Sequence, residues 1–277
     1  MKPQTISEQM LYSTLRLEAN DGSTGTGFFF NFAVDNNLYV PVIITNKHVV
    51  NNNQKETVKF FLHLKSNDEP DGKIAINFFT NWHFHPNKDL CFCFVNPLFQ
   101  QIKSQTQKEV FFIPITEDVI WDNKKLEELS AIEDVVMTGY PNGLWDQKNN
   151  LPLFRKGITA SHPAIDFNES SIGVVDMACF PGSSGSPIFI LNENSFTDKR
   201  GNFYVGGKRV ILLGVLFQGP RLNTKGELIV EDVLTQQKIS SLTPMMINLG
   251  YYIKANEILA FKPIIKAIIL EQNGNNK

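Results

Sequence analysis

Cysteine is scarce in this chain: three in 277 residues, Cys91, Cys93 and Cys179. So sparse and odd a set makes no disulfide framework and favours reduced thiols. Cys91 and Cys93 stand two apart in one predicted strand, so both lie on one face, which suits side-by-side core packing rather than a bridge. Charge of one sign is missing too. The chain is 19% charged with a formal net charge of −2 and no long block of either sign, so neither nucleic acid nor an anionic membrane is an expected partner. No apolar run approaches the roughly 20 residues of a membrane span; the longest, such as Ile211 to Phe217, have strand length. The start, Met1-Lys2-Pro3-Gln4-Thr5, lacks a basic region leading into an apolar core, the mark of a secretory signal. A cytoplasmic protein is expected.

What is abundant is short apolar segments. With 42% hydrophobic residues, the chain can bury one large core or two smaller ones. Strand signals run through Leu11–Glu18, Gly25–Phe30, Leu38–Thr45 (after the turn Asp35-Asn36-Asn37), Val58–Leu64, Ile74–Phe79, Trp82–His85 and Leu90–Val95. That many close-spaced strands with no strong helix between them read as a small antiparallel barrel or sandwich. Asn96–Gln107 is largely polar and reads as a linker, with a turn or two of helix at Lys124–Leu129. A second set of strands follows, at Val135–Tyr140, Phe154–Ala160, Ile172–Met177, Pro187–Leu191, Val210–Phe217 and Tyr251–Lys254, with a polar, mobile loop expected over Asn192–Gly207. The chain ends in a helix capped by Asn256 and bent at Pro263, then frays from Gly274 to Lys277.

The most unusual stretch is Phe180-Pro181-Gly182-Ser183-Ser184-Gly185-Ser186-Pro187, running straight into Ile188-Phe189-Ile190-Leu191. Gly182 can take backbone angles closed to other residues. Its N–H and that of Ser184 can then point at one spot and form an oxyanion hole. A serine hydroxyl is a poor nucleophile alone, so this reading needs a histidine base and a carboxylate to orient it. His48, in Thr45-Asn46-Lys47-His48-Val49-Val50, sits just after an apolar strand; Asp89, in Asn87-Lys88-Asp89-Leu90-Cys91-Phe92, sits just before one. All three lie at strand ends, where a rigid scaffold can aim them into a cleft.

With these segments in order, the chain resembles the chymotrypsin-like (trypsin-like) serine peptidases, in particular the bacterial HtrA/Deg group. Gly182-Ser183-Ser184-Gly185-Ser186-Pro187 is similar to that family's Gly-Asn/Asp-Ser-Gly-Gly-Pro nucleophile loop, and His48 and Asp89 fall in counterparts of its Thr-Asn-x-His-Val and Asp-Leu-Ala segments. Val135–Leu144 resembles Val-Val-Ala-Ile-Gly-Asn-Pro-Phe-Gly-Leu, and Gly157–Ser161 resembles Gly-Ile-Val-Ser-Ala. Gly214–Gly219 looks like the cleft-lining strand and Gly250–Ile253 like the strand before the last helix. The likeness spans roughly residues 20 to 260.

The resemblance implies an all-β fold of two antiparallel six-stranded barrels with a C-terminal helix, in one peptidase domain over 1–277. Its parts would be an N-terminal barrel at about 8–96, a linker at about 97–130, a C-terminal barrel at about 131–254 and the helix at about 256–271. It implies a serine endopeptidase with His48 as base, Asp89 as orienting carboxylate and Ser184 as nucleophile, and with the oxyanion hole at Gly182 and Ser184. No metal or organic cofactor is required. By the family's layout the primary substrate pocket is walled by Ala178, Cys179 and Phe180, by Phe217, Gln218 and Gly219, and by Gly250. Ala178 stands where trypsin-type enzymes place an acid, so an uncharged side chain is expected at the cleaved bond. The implied partners are protein or peptide substrates and a possible regulatory protein.

Several features depart from the pattern. Ser186 replaces the second glycine, Cys91-Phe92-Cys93 replaces small residues, no Ile-Val-Gly-Gly activation sequence is present, and no tract after residue 260 is long enough for a PDZ domain. His83 and His85, near Cys91 and Cys93, have zinc-ligand spacing, although edge-strand histidines beside core cysteines explain them better. Gly182-x-Ser184-x-Ser186 lacks the final glycine of a nucleophile elbow, and alternating helices are absent, so an α/β-hydrolase is disfavoured. The alternative from another class is a catalytically silent protease-fold binding or scaffold protein.

Overall fold

A strand that is apolar on both faces needs a core on each side, and the run Phe28-Phe29-Phe30 finds two. In the computed structural model, which describes residues 2–35, 38–141, 144–227, 240–246 and 248–274, Phe29 packs into one apolar cluster with Leu15, Leu17, Phe60 and Trp82. Its neighbours Phe28, Phe30 and Phe32 face another, with Phe189, Leu212, Val215 and Phe261 from the second half of the chain. Alternate side chains of a strand point to opposite faces, and each fully buried ring contributes about 1.5–3 kcal/mol. Cys91 and Cys93 go to the first cluster and Phe92, between them, to the second. The apolar wall between the halves is therefore the rear face of the strands around residues 28–32 and 91–94.

The first half is a nine-stranded curled sheet. It contains β1 (Thr14–Ala19), β2 (Thr24–Asp35), β3 (Leu38–Thr45), β4 (Lys55–Ser66), β5 (Glu69–Asn81), β6 (His83–Phe84), β7 (Cys91–Phe94), β8 (Glu109–Phe111) and β9 (Ile115–Thr116). Seven strands run in the order β5-β4-β1-β2-β3-β7-β6, while β8 pairs with β4 and β9 with β2. This half curls without closing into the six-stranded barrel expected for it. The second half does close, as β10 (Asp134–Gly139), β11 (Leu153–Thr159), β12 (Ile172–Asp176), then β13 (Pro187–Asn192), β16 (Arg209–Gln218) and β19 (Leu249–Lys254) in the barrel order β10-β11-β12-β19-β16-β13. The hairpin β14 (Ser195–Thr197) and β15 (Phe203–Val205) and the ribbon β17 (Arg221–Glu227) and β18 (Ser240–Met246) project from it.

Three helices and a hairpin correct the sequence reading. Asn96–Thr106 is a helix (α2) rather than a linker, because Leu98 and Ile102, four apart, bury one face. A short α1, Ile6–Met10, is capped by Thr5 and Glu8 in a capping box. The expected mobile loop at 192–207 is the β14–β15 hairpin, with Phe196 stacked on Tyr204 at 4.8 Å. At the end, a 3-10 helix (Ala255–Ala260) leads into α4 (Phe261–Gly274). Pro263 lies in the first turn of α4, where its missing N–H has no helical partner to lose, so it starts a helix instead of bending one. Asn36, Asn37, Asn142, Gly143 and 275–277 lie outside the described residues. Among the described residues, no helix is long and apolar enough to cross a membrane.

Candidate active site

His48 is placed by a single turn of 3-10 helix, Lys47–Val50, that follows β3 directly; Val49 and Val50 are buried and the imidazole is left exposed. Asp89 comes from the turn before β7. The two meet: His48 Nδ1 and Asp89 Oδ2 are 2.6 Å apart, and the His48 backbone N–H donates to Asp89 Oδ1 at 3.2 Å. Asn46 Nδ2 donates to the Asp89 carbonyl at 2.7 Å, so both loops move as one. Burial alone would raise the Asp89 pKa, but the hydrogen bonds and charge of His48 and the N–H groups of His48 and Lys47 outweigh it and hold the carboxyl below its ordinary value. Asp89 therefore stays anionic, and its share of stability is complete above the ordinary aspartate range and lost as pH falls through the lowered value.

Ser184 arrives on a loop whose shape depends on two glycines with left-handed φ, Gly182 at 88° and Gly185 at 85°. Ser183 N–H donates to Phe180 O and Ser186 N–H to Ser183 O, both at 3.0 Å, and Gly185 N–H donates to Leu216 O at 2.8 Å. The N–H groups of Gly182 and Ser184 make no hydrogen bond among the described residues. Ser184 and His48 line one cleft of about 460 Å³, together with Cys179, Phe180, Leu216 and Phe217. Among the described residues no hydrogen bond joins the Ser184 hydroxyl to His48.

Of the expected pocket residues, Cys179, Phe180, Phe217, Gln218 and Gly219 line this cleft, and Pro181, Leu216 and Pro220 join them. Ala178 and Gly250 stand behind it. The Ala178 carbonyl accepts from Arg155, whose guanidinium also lies over the Phe180 ring at 4.6 Å and so braces the wall. Gly250 leaves room for Cys179: a Cβ there would come within 2.5 Å of its sulfur. Burial raises the Cys179 thiol to about 11, against a smaller opposing pull from Arg155, so this thiol is uncharged and unreactive at neutral pH. His83 stacks on Phe92 at 4.8 Å, while His85 bonds to the turn that carries Asp89.

One residue holds the three parts together and was not visible as a site residue in the sequence. Thr26, fully buried on β2, donates through Oγ1 to Gly182 O at 3.0 Å, and its N–H donates to Ser184 O at 2.8 Å. Thr26 Oγ1 accepts from Tyr140 N–H at 3.1 Å, and Thr26 O accepts from Thr45 Oγ1 at 2.7 Å, three residues before His48. Through the backbone and side chain of Thr26, the first half thus grips the serine loop. Thr26→Val keeps the shape and strands a buried carbonyl and a buried N–H, so urea denaturation should show about 1–3 kcal/mol lost. Thr26→Ser should retain most of it.

A paired sheet-and-barrel fold with an imidazole on a carboxylate, and a serine in the same cleft, defines the chymotrypsin-like class. The chain belongs to the trypsin-like peptidase domain family, whose family model matches residues 25–196. Solved structures with a similar fold include the active form of a protease from M. tuberculosis, at 15% identity and TM-score 0.42, covering 90% of this chain and 78% of that one. An inactivated protease paralogue of the scabies mite is similar at 12% identity and TM-score 0.47, covering 94% and 96%. A thermostable serine protease from an extremophilic microorganism is similar at 13% identity and TM-score 0.46, covering 92% and 98%. No curated protein matches.

Proposed function

We propose that the protein is a serine endopeptidase that cleaves peptide bonds through an acyl-enzyme formed on Ser184. One observation carries the reading: the imidazole that lines the cleft with Ser184 is held at 2.6 Å by an anionic Asp89. His48 takes the hydroxyl proton as Ser184 Oγ attacks the peptide carbonyl, then gives it to the leaving amine. Water then attacks the acyl-enzyme by the same route in reverse. Asp89 fixes the tautomer with the proton on Nδ1 and stabilises the cation that forms. The unbonded N–H groups of Gly182 and Ser184 receive the oxyanion; losing one such donor costs about 3 kcal/mol of barrier.

Because the base must be unprotonated, the rate should fall once His48 takes up a proton; a rate indifferent to acid would contradict that role. Among the described residues the cleft lining carries no carboxylate, which supports a small, aliphatic or otherwise uncharged side chain at the cleaved bond. A cleavage profile from a peptide library would overturn this by selecting lysine or arginine strictly.

The run of shared segments supports an HtrA/Deg-like subtype, and the three free thiols support a reducing, cytoplasmic setting. The whole reading is tested with a fluorophosphonate probe on the purified protein. Labelling that tracks peptide cleavage supports the peptidase; absence of both supports the silent scaffold.

A further inference from the structure

The chain contains a second imidazole facing a carboxylate, and it lies directly behind the first. The turn that delivers Asp89 runs from His85 to Leu90 and is closed at its base by the His85 N–H donating to Leu90 O at 2.9 Å. Inside the turn, the N–H groups of Asn87 and Lys88 both donate to His85 Nδ1, at 3.2 and 2.9 Å. A ring nitrogen that accepts cannot carry a proton, so the proton of the neutral ring sits on Nε2. That nitrogen lies 3.3 Å from Glu257 Oε2, on the 3-10 helix that follows β19, near enough for a charge contact but out of line for a hydrogen bond. The ring is 4% exposed and lies edge-on to Phe261 at 5.6 Å.

We propose that His85 is a positioning residue for Asp89: its unprotonated Nδ1, backed by Glu257, fixes the turn that aims the carboxylate at His48. This rests on the reading of Asp89 as the carboxylate that orients the base. Three charged groups face the ring, Glu257 from the segment after the barrel, Lys88 from the turn itself and Lys47 from the helix that bears His48. Burial lowers the His85 pKa most; Glu257 opposes and the two lysines add to the lowering, with the net effect downward. Were the ring protonated, its Nδ1–H would point at two N–H donors and the turn would open. A neutral His85 is therefore the state in which the turn is whole, and the turn fails as pH falls. Through Glu257, the segment leading into α4 is coupled to a residue that the first half supplies.

The test is the titration of His48, read by NMR on the full-length protein, because a carboxylate held against an imidazole favours the ring's protonated form and one turned away does not. In His85→Ala the midpoint should fall by about half a unit or more relative to wild type, and kcat should fall about tenfold with KM within about twofold. His85→Asn should recover most of both, because an asparagine oxygen accepts from the N–H two residues on. Glu257→Leu, which leaves the turn's own residues in place, should move the midpoint the same way by less. A midpoint unchanged in His85→Ala and Glu257→Leu overturns the proposal, even if melting temperature drops; if His85→Ala does not fold, Glu257→Leu decides alone. The NMR readout needs no turnover, so a wild type that cleaves nothing and takes no phosphonate defeats the peptidase reading while leaving this test intact.

Discussion

Ser184→Ala should lower kcat/KM by about 10⁵-fold or more, and adding His48→Ala to it should cost almost nothing further. The two residues act as a unit, since a base without a nucleophile and a nucleophile without a base are both idle. On the proposed mechanism, the residual rate comes from the groups that survive in the double variant, the N–H pair at Gly182 and Ser184 and the cleft lined by Phe180, Leu216 and Phe217. Steady-state kinetics on a good peptide substrate for the two single variants and the double variant decide it. Losses that multiply would mean that the two side chains act separately. KM should change little in each, because neither side chain holds the substrate's ground state.

Gly185→Ala should be the most damaging single substitution to the fold. The residue has a φ of 85°, where an L side chain is strained. A Cβ there would also stand 1.9 Å from the Thr26 carbonyl oxygen and 2.6 Å from Thr45 Oγ1. The first of these is backbone and cannot rotate away. Relief requires the serine loop to separate from β2, which breaks the hydrogen bond from Thr26 N–H to Ser184 O and the one from Thr26 Oγ1 to Gly182 O. Strain plus lost bonds come to about 4 kcal/mol or more, a large share of the about 5–15 kcal/mol that holds an ordinary domain folded, so the variant should melt far below wild type. Circular dichroism melts should show this directly, alongside an inactive soluble fraction. A variant melting within a few degrees of wild type would mean that the loop and β2 are not locked together.

The segments that bring His48 and Asp89 together and place Ser184 in the same cleft were legible in the sequence, because each is short and distinctive in composition. The barrel strands were legible as well, because Val135–Tyr140 and Val210–Phe217 carry β-branched and apolar residues between turn formers. The helix Asn96–Thr106 was hidden by its polar face: Leu98 and Ile102, with the partly buried Phe99, mark it, and the four-residue spacing of the first two was the available signal. The β14–β15 hairpin was hidden by its exposed polar composition, although Asp198 and Gly201 close its turn as such residues commonly do. The open edge of the first sheet follows from β6 being only two residues long, too short to reach across and pair with β5. Thr26 and His85 could not be read locally. A threonine in a Gly-Thr-Gly segment and a histidine before a proline gain their roles only when a chain segment distant in sequence folds against them.

The central claim is that Ser184, alone among neighbouring serines, is made nucleophilic by His48. It is tested most directly by reacting the protein with diisopropyl fluorophosphate and locating the phosphoryl group by tandem mass spectrometry, in wild type and in His48→Ala. The account predicts one adduct, on Ser184 and not on the buried Ser183 or Ser186, formed in wild type and lost in His48→Ala. An adduct spread over the three serines, or one on Ser184 that forms as fast without His48, would contradict it.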